Sequence, residues 1–393
     1  MLPDDLFASP NALASAYSRF RVGERLLLTG HSHQAWPDCG FEAQHEAWHD
    51  AAEFVDDKWP RAFERAAAVQ RGFARLLGEP DADIALGQNT LELVVRFVSA
   101  LPLRIRPKLI ATDGEFHTIR RLLDRLAEEP GIDVVRIAAA PVESLAERLS
   151  AVVDDRTAAV FCSSVMFQTA RIVPGLPDVA AACARKGAEL LIDAYHQLNV
   201  VPFRRQGLER AYVIGGGYKY CQLGEGVCFL RLPKDCVLRP ITTGWFTEFD
   251  ALTAQVSGRV GYGRGGMRFV GATFDPASYY RAAAVFAFFQ ERGLPSELLR
   301  TVSQHQIALL AERFDALDLN PAQIRRDQTV PLDDIAGFLV LWTPQAAEIS
   351  RRLKDAGVWT DHRGNALRFG PAPYLADMQL IEAMERLGRV MAS

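Results

Sequence analysis

Charge of one sign, paired cysteines, long apolar runs and lysine are all scarce in this chain, and each scarcity excludes a class of function. The 44 basic and 48 acidic residues nearly cancel, leaving a formal net charge of -4. No stripe of single sign suggests a nucleic-acid groove or a membrane-facing surface, so a small-molecule partner is expected instead. No run of about 18 apolar residues occurs, so no membrane span is expected. The N-terminal Met1-Leu-Pro-Asp-Asp5 lacks the basic and apolar segments of a signal peptide, which implies a cytoplasmic protein. The six cysteines (Cys39, Cys162, Cys183, Cys221, Cys228, Cys236) form no C-x-x-C pair. They read as small buried hydrophobes, with no disulfide framework and no structural zinc cluster.

What is present is enough apolar material, 49% of 393 residues, for one large α/β domain and a smaller second one. From about residue 80 to 235, short β-rich runs alternate with helical patterns, the signature of a mostly parallel sheet sandwiched by helices. The runs are Asp83 to Leu86, Lys108 to Thr112, Ala158 to Ser163, Glu189 to Asp193, Ala211 to Gly215 and Gly226 to Leu232. The last follows too closely for a helical crossover, so it is expected to return antiparallel and make the sheet mixed. A long helix near Ala277 to Arg292 leads to a final α/β unit. Its expected elements are a strand (Ile335 to Trp342), a helix (Ala346 to Ala356), a strand pair (Val358 to Asp361 with Ala366 to Phe369) and a helix (Ala376 to Met391).

Ligands of open α/β sheets collect at the carboxyl ends of the strands. There the sequence sets Asn89 and Thr90, Phe116, Thr169, Asp193 and His196, and Tyr218 and Lys219, each group just after a different strand. Lys219 carries the sharpest signal. The chain has six lysines against 38 arginines, and only an amine forms an imine. It follows Val213-Ile-Gly-Gly-Gly217, whose glycines permit a tight turn and close approach to a bound group. Desolvation there would favour the neutral, nucleophilic amine.

Asp193 ends the apolar run Leu190-Leu-Ile192, where an acid is costly without a charged or hydrogen-bonding partner. A pyridinium nitrogen is such a partner, and a helix N-cap is the plainer alternative. Asn89 and Thr90 open a helix after a strand, which suits a phosphate or a simple cap. Phe116 either stacks on a ring or fills core.

The string Ile192-Asp-Ala-Tyr-His196, followed by Gly217-Tyr-Lys-Tyr220 and a glycine-rich bend, resembles the core of class V aminotransferase-fold enzymes dependent on pyridoxal 5'-phosphate (PLP), kynureninase-like in particular. The resemblance extends to Trp36-Pro37, Gly244-Trp-Phe246, Arg268-Phe269 with Gly271 and Thr273, and Arg368-Phe-Gly-Pro-Ala-Pro-Tyr374. It implies that Lys219 holds PLP as a Schiff base, that Asp193 bonds the pyridine nitrogen and that His196 supports the ring hydroxyl side. Tyr218, Asn89 and Thr90 would hold the phosphate, Phe116 would stack on the ring and Thr169 would line it. Trp245 and Thr273 would reach the phosphate of a neighbouring subunit, implying a homodimer with shared sites. Arg368 would clamp the carboxylate of an amino-acid substrate. Residues 1–50 are expected to pack between the domains, 51–285 to form the large PLP-binding domain and 286–393 the small C-terminal one.

The implied activity is hydrolytic Cβ-Cγ cleavage, with transamination, β-elimination and epimerisation as alternatives within the same fold group. Three positions depart from the family pattern: Phe116-His-Thr-Ile119 lacks an Asp, Gln168 stands where Tyr or Arg is expected, and Thr247-Glu248 replaces Gly-His. A cysteine desulfurase would need a nucleophilic thiol in the C-terminal half, and no cysteine lies beyond Cys236. A remoter alternative is zinc hydrolysis, since His45-Glu46-Ala-Trp-His49 matches H-E-x-x-H with Glu64 as a conceivable third ligand.

Overall fold

The computed structural model describes residues 1–251 and 258–392, with side chains undescribed at 249–251. A two-residue strand, β1 (Leu26–Leu27), opens the chain's sheet structure. Seven strands then build the large sheet: β2 (Asp83–Gly87), β3 (Lys108–Thr112), β4 (Asp133–Ile137), β5 (Thr157–Ser163), β6 (Glu189–Asp193), β7 (Tyr212–Gly216) and β8 (Cys228–Leu232). Four more follow near the C-terminus: β9 (Leu339–Trp342), β10 (Val358–Trp359), β11 (Asp361–Arg363) and β12 (Ala366–Phe369).

The large sheet runs in the order β2-β8-β7-β6-β5-β3-β4. β8 is antiparallel to both its neighbours, whereas β7, β6, β5, β3 and β4 pair in parallel. The sheet is therefore α/β and mixed, mostly parallel, as expected. Successive residues of the central strands feed two separate cores. Leu109, Ala111, Phe161 and Leu191 face one, and Ile110, Val160, Leu190 and Ile192 face the other. Burial on both faces is what makes these strands read as continuous apolar runs.

The run expected from Ala158 begins one residue earlier, and Lys108–Thr112 and Glu189–Asp193 fall where the pattern set them. β4 was not anticipated. Its five residues are only partly buried and include Asp133 and Arg136, so it lacks the apolar run of an inner strand. The helices Trp59–Leu76 and Ser296–Asp315 were likewise missed.

The C-terminal strands differ from expectation in their pairing. Val358–Trp359 does not join the hairpin but lies parallel to β1 of the N-terminal segment. The hairpin proper is β11 with β12, and β12 also pairs with β9. Further bonds stitch the two ends of the chain, Gly30 N–H to Gly370 O at 2.8 Å and Gly370 N–H to Leu28 O at 2.8 Å. Among the described residues, no helix is long and apolar enough to cross a membrane.

Candidate active site

Four strand ends meet at one edge of the sheet because strands running in the same direction place their carboxyl ends together. A cavity of about 230 Å³ opens there. It gathers Asn89 and Thr90 after β2, Phe116 after β3, Asp193 and His196 after β6, and Tyr218 and Lys219 after β7. Four of the proposed residues lie outside it. Thr169 sits in a turn, its hydroxyl accepting the Arg171 N–H at 3.4 Å, because the chain leaving β5 brings Phe167 edge-on to Phe116 first. Trp245 is exposed and donates from Nε1 to Thr273 Oγ1 at 3.3 Å, on another part of the surface. Arg368 stands behind the cavity on β12.

Lys219 is 5% exposed and lies in the Gly217–Val227 connection. Burial depresses its ammonium to about 7, with Asp193 opposing the shift and Arg368 adding to it. Its Nζ is 2.5 Å from His196 Nε2 and 5.2 Å from the centre of the Phe116 ring. His196 is fully buried, and desolvation with the nearby Lys219 charge holds it well below its ordinary value, so the imidazole is neutral. With Lys219 donating to Nε2, the imidazole hydrogen sits on Nδ1, which is buried and without a partner.

Asp193 is 7% exposed and accepts the Tyr195 N–H at 2.9 Å. Desolvation pushes its carboxyl above the usual carboxylate range, opposed by that hydrogen bond and by Lys219. The glycines before Lys219 also make room for protein side chains. A Cβ on Gly216 would lie 2.2 Å from Tyr195 Oη, and one on Gly217 2.6 Å from Leu223 Cβ. They let the backbone approach Tyr195, which lines the cavity, and Leu223.

Sequence reasoning passed over Glu115, which is 1% exposed and bonded through Oε1 to Thr112 Oγ1 at 2.6 Å and through Oε2 to Ser163 Oγ at 2.6 Å. Desolvation pushes its carboxyl up to about 7. Adjacent to Phe116 in a turn, it carried no periodic signal. His31 and His33, two residues apart, part company in the structure. His33 stacks on Tyr218 at 4.8 Å, while His31 is buried behind Arg368.

The zinc alternative loses its geometry. His45, Glu46 and His49 do lie on one helix, Cys39–Phe54, but Glu46 is ion-paired to Arg65 and His45 packs on Phe41 at 4.3 Å. Among the described residues, no group of three His, Cys, Asp or Glu side chains is arranged to hold a metal.

No protein-family profile matches the chain. An uncharacterized aminotransferase, YcbU of Bacillus subtilis, is 23% identical over 352 residues, covering 86% of this chain and 88% of that protein. Isopenicillin N epimerase of Streptomyces clavuligerus is 25% identical over 187 residues, 46% of each chain. Among solved structures, the C-DES variant with glycine covalently linked to its PLP cofactor superposes with a TM-score of 0.82 at 18% identity, covering 95% of this chain and 98% of that one. A cysteine desulfurase from Thermococcus onnurineus gives a TM-score of 0.78 at 15% identity over 94% and 95% of the two chains.

The fold is that of class V PLP enzymes. On this fold, the thiol nearest the cavity is Cys228, whose Sγ lies 3.7 Å from Thr90 Oγ1 and 3.8 Å from Tyr195 Oη. Desolvation raises that thiol to about 11, which leaves it protonated and a poor nucleophile.

Proposed function

We propose that this protein is a PLP-dependent enzyme that acts on an α-amino acid, as a homodimer with shared active sites. The observation that carries the reading is the buried amine of Lys219, sharing one cavity with Asp193 and Phe116. The residues fit the cofactor. Asp193 supplies an acceptor for a pyridinium nitrogen, and the unpartnered His196 Nδ1 is a donor that a polar ring ligand satisfies. Asn89 caps the helix Thr90–Ser99, accepting the Glu92 N–H at 3.0 Å, and with Thr90 and Tyr218 would hold the phosphate. Trp245 and Thr273 would serve the partner's phosphate. Residues 51–285 would carry the cofactor and 286–393 the carboxylate clamp.

Bound PLP supplies an electron sink for negative charge at the substrate α-carbon. The chain's residues do the rest. Arg368 orients the substrate carboxylate, and Phe116 fixes the plane of the ring. Lys219, once free of the cofactor, takes the α-proton, a task suited to an amine whose pKa lies near 7. Asp193 keeps the ring nitrogen protonated.

The motif likeness favours hydrolytic Cβ-Cγ cleavage releasing alanine. A second reading, β-elimination at a Cβ-S bond, is favoured by the 0.82 TM-score to C-DES, of which another structure is described as a cystine C-S lyase. Assays separate them: alanine released from kynurenine supports the first, and pyruvate with ammonia from cystine supports the second.

The cofactor reading is tested by the visible spectrum of the purified protein before and after borohydride, with zinc quantified in the same sample. A yellow band that bleaches and leaves a reduced adduct on Lys219 is the expected result. A colourless protein that ignores added PLP overturns the proposal. Uptake of PLP by the stripped protein should also follow the ionisation of Lys219. Below about pH 7 the rate should rise about tenfold per pH unit, as the neutral fraction does, and level off above it. A profile still rising at pH 10 would mean that the amine is not depressed.

A further inference from the structure

The residue proposed to hold the substrate carboxylate is itself held. Arg368 is 2% exposed and sits on β12 directly across the hairpin from Asp361 on β11, the two being paired in register. A two-residue loop, Gly364 and Asn365, fixes that register, with Gly364 at a φ of +55° that suits glycine. The pair is bidentate: Arg368 Nε donates to Asp361 Oδ1 at 2.8 Å and NH2 donates to Oδ2 at 2.5 Å. Arg368 NH1 donates to Phe167 O at 2.6 Å. A guanidinium has five N–H donors, so one hydrogen on each terminal nitrogen is left over.

Behind Asp361 stands His31, fully buried, with its Nε2 2.7 Å from Asp361 Oδ1. Its ring lies 4.5 Å from that of Phe338, over which Arg368 also lies at 5.5 Å. Room for the imidazole depends on Gly370, where a Cβ would come within 2.2 Å of His31 Nδ1. Desolvation outweighs the pull of Asp361 and holds His31 near 4, so the neutral ring donates its Nε2 hydrogen.

We propose that Asp361, backed by His31, is the positioning device for Arg368: it grips one edge of the guanidinium and turns the two remaining hydrogens toward the substrate carboxylate. The inference rests on the proposed role of Arg368. Asp361 offsets the charge of Arg368, and with Arg363 NH1 3.9 Å from Asp361 Oδ2 the cluster keeps one net positive charge, while the two free donors of Arg368 set the direction from which a carboxylate binds. The N-terminal segment thereby enters substrate recognition, although neither His31 nor Asp361 lines the cavity. They act through Arg368 and are positioning residues.

The test uses the PLP-loaded protein and two probes, L-alanine and its decarboxylated counterpart ethylamine, titrated against the visible band of the cofactor. Asp361→Asn presents an amide NH₂ to donors already in place and should disturb the guanidinium. L-alanine binding should weaken by tenfold or more, ethylamine binding should change less than twofold, and the melting temperature and chromophore should persist. His31→Gln should give a smaller loss, again confined to L-alanine, and it decides the matter should the Asp361 variant not retain its cofactor. With the active substrate, KM should rise far more than kcat falls. Unchanged or tighter L-alanine binding in Asp361→Asn, or equal losses for both probes, would overturn the proposal. If Arg368→Lys also leaves L-alanine binding untouched, the carboxylate role of Arg368 is itself wrong, and the two failures are told apart.

Discussion

Lys219→Ala is expected to lower turnover by several orders of magnitude and to leave a protein with no adduct after borohydride. Among the described residues no other lysine lines the cavity. Lys108 donates to Val152 O at 2.6 Å and pairs with Asp154, Lys186 pairs with Asp155, and Lys58 donates to Val55 O. Lys354 lies over Trp359 in the C-terminal unit. The loss combines two functions, attachment of the cofactor and movement of the substrate α-proton, and general acid-base transfer alone contributes roughly 10²- to 10⁴-fold. Folding should survive, because replacing a buried, desolvated amine by a methyl group removes a polar burden from the interior. A variant with parental kinetics would sink the mechanism.

The second large effect is expected from Asp193→Asn. The carboxylate contributes a charge that an amide of the same shape lacks, so the ring nitrogen would no longer be held protonated. Turnover should fall by roughly 10²- to 10³-fold, the range for losing one preorganised electrostatic partner. Stability should move the other way or not at all. Burial raises the folded-state pKa of Asp193, so its ionised form disfavours folding above the unfolded-state pKa, and the amide removes that cost at neutral pH. Steady-state kinetics and thermal unfolding of the same preparation check both signs. A large drop in melting temperature together with the lost activity would mark Asp193 as structural.

Much of the site was legible because its chemistry sits at strand ends. Asp193 closes a run of buried aliphatics, and Lys219 follows three glycines in a chain that otherwise uses arginine, so composition alone made both conspicuous. Thr169 illustrates the weakness of the same reasoning. It too follows a strand, but Phe167 comes between it and the cavity, and the direction of a loop is not written in its residue types. The metalloprotease-like string on the helix Cys39–Phe54 is a case where local pattern and spacing were right and the partner was wrong. Glu46 meets Arg65 from the next helix, 19 residues on, which no five-residue motif reveals.

The sequence by itself determined six of the seven strands of the large sheet. Apolar runs such as Leu109–Ala111, Ala158–Cys162 and Leu190–Ile192 bury both faces of a strand, and a connection too short for a helix obliges β8 to return antiparallel. It also determined which side chains stand at the carboxyl ends of those strands. Only the tertiary structure decided that Val358–Trp359 pairs with Leu26–Leu27 rather than within the hairpin, and that His31 meets Asp361 across 330 residues. The edge strand β4 belongs with these, since its half-exposed, charged residues gain their place from β3 beside them. Periodicity reports how one segment meets solvent and core. Which two segments meet each other is settled by packing, through contacts whose partners lie far apart in the chain.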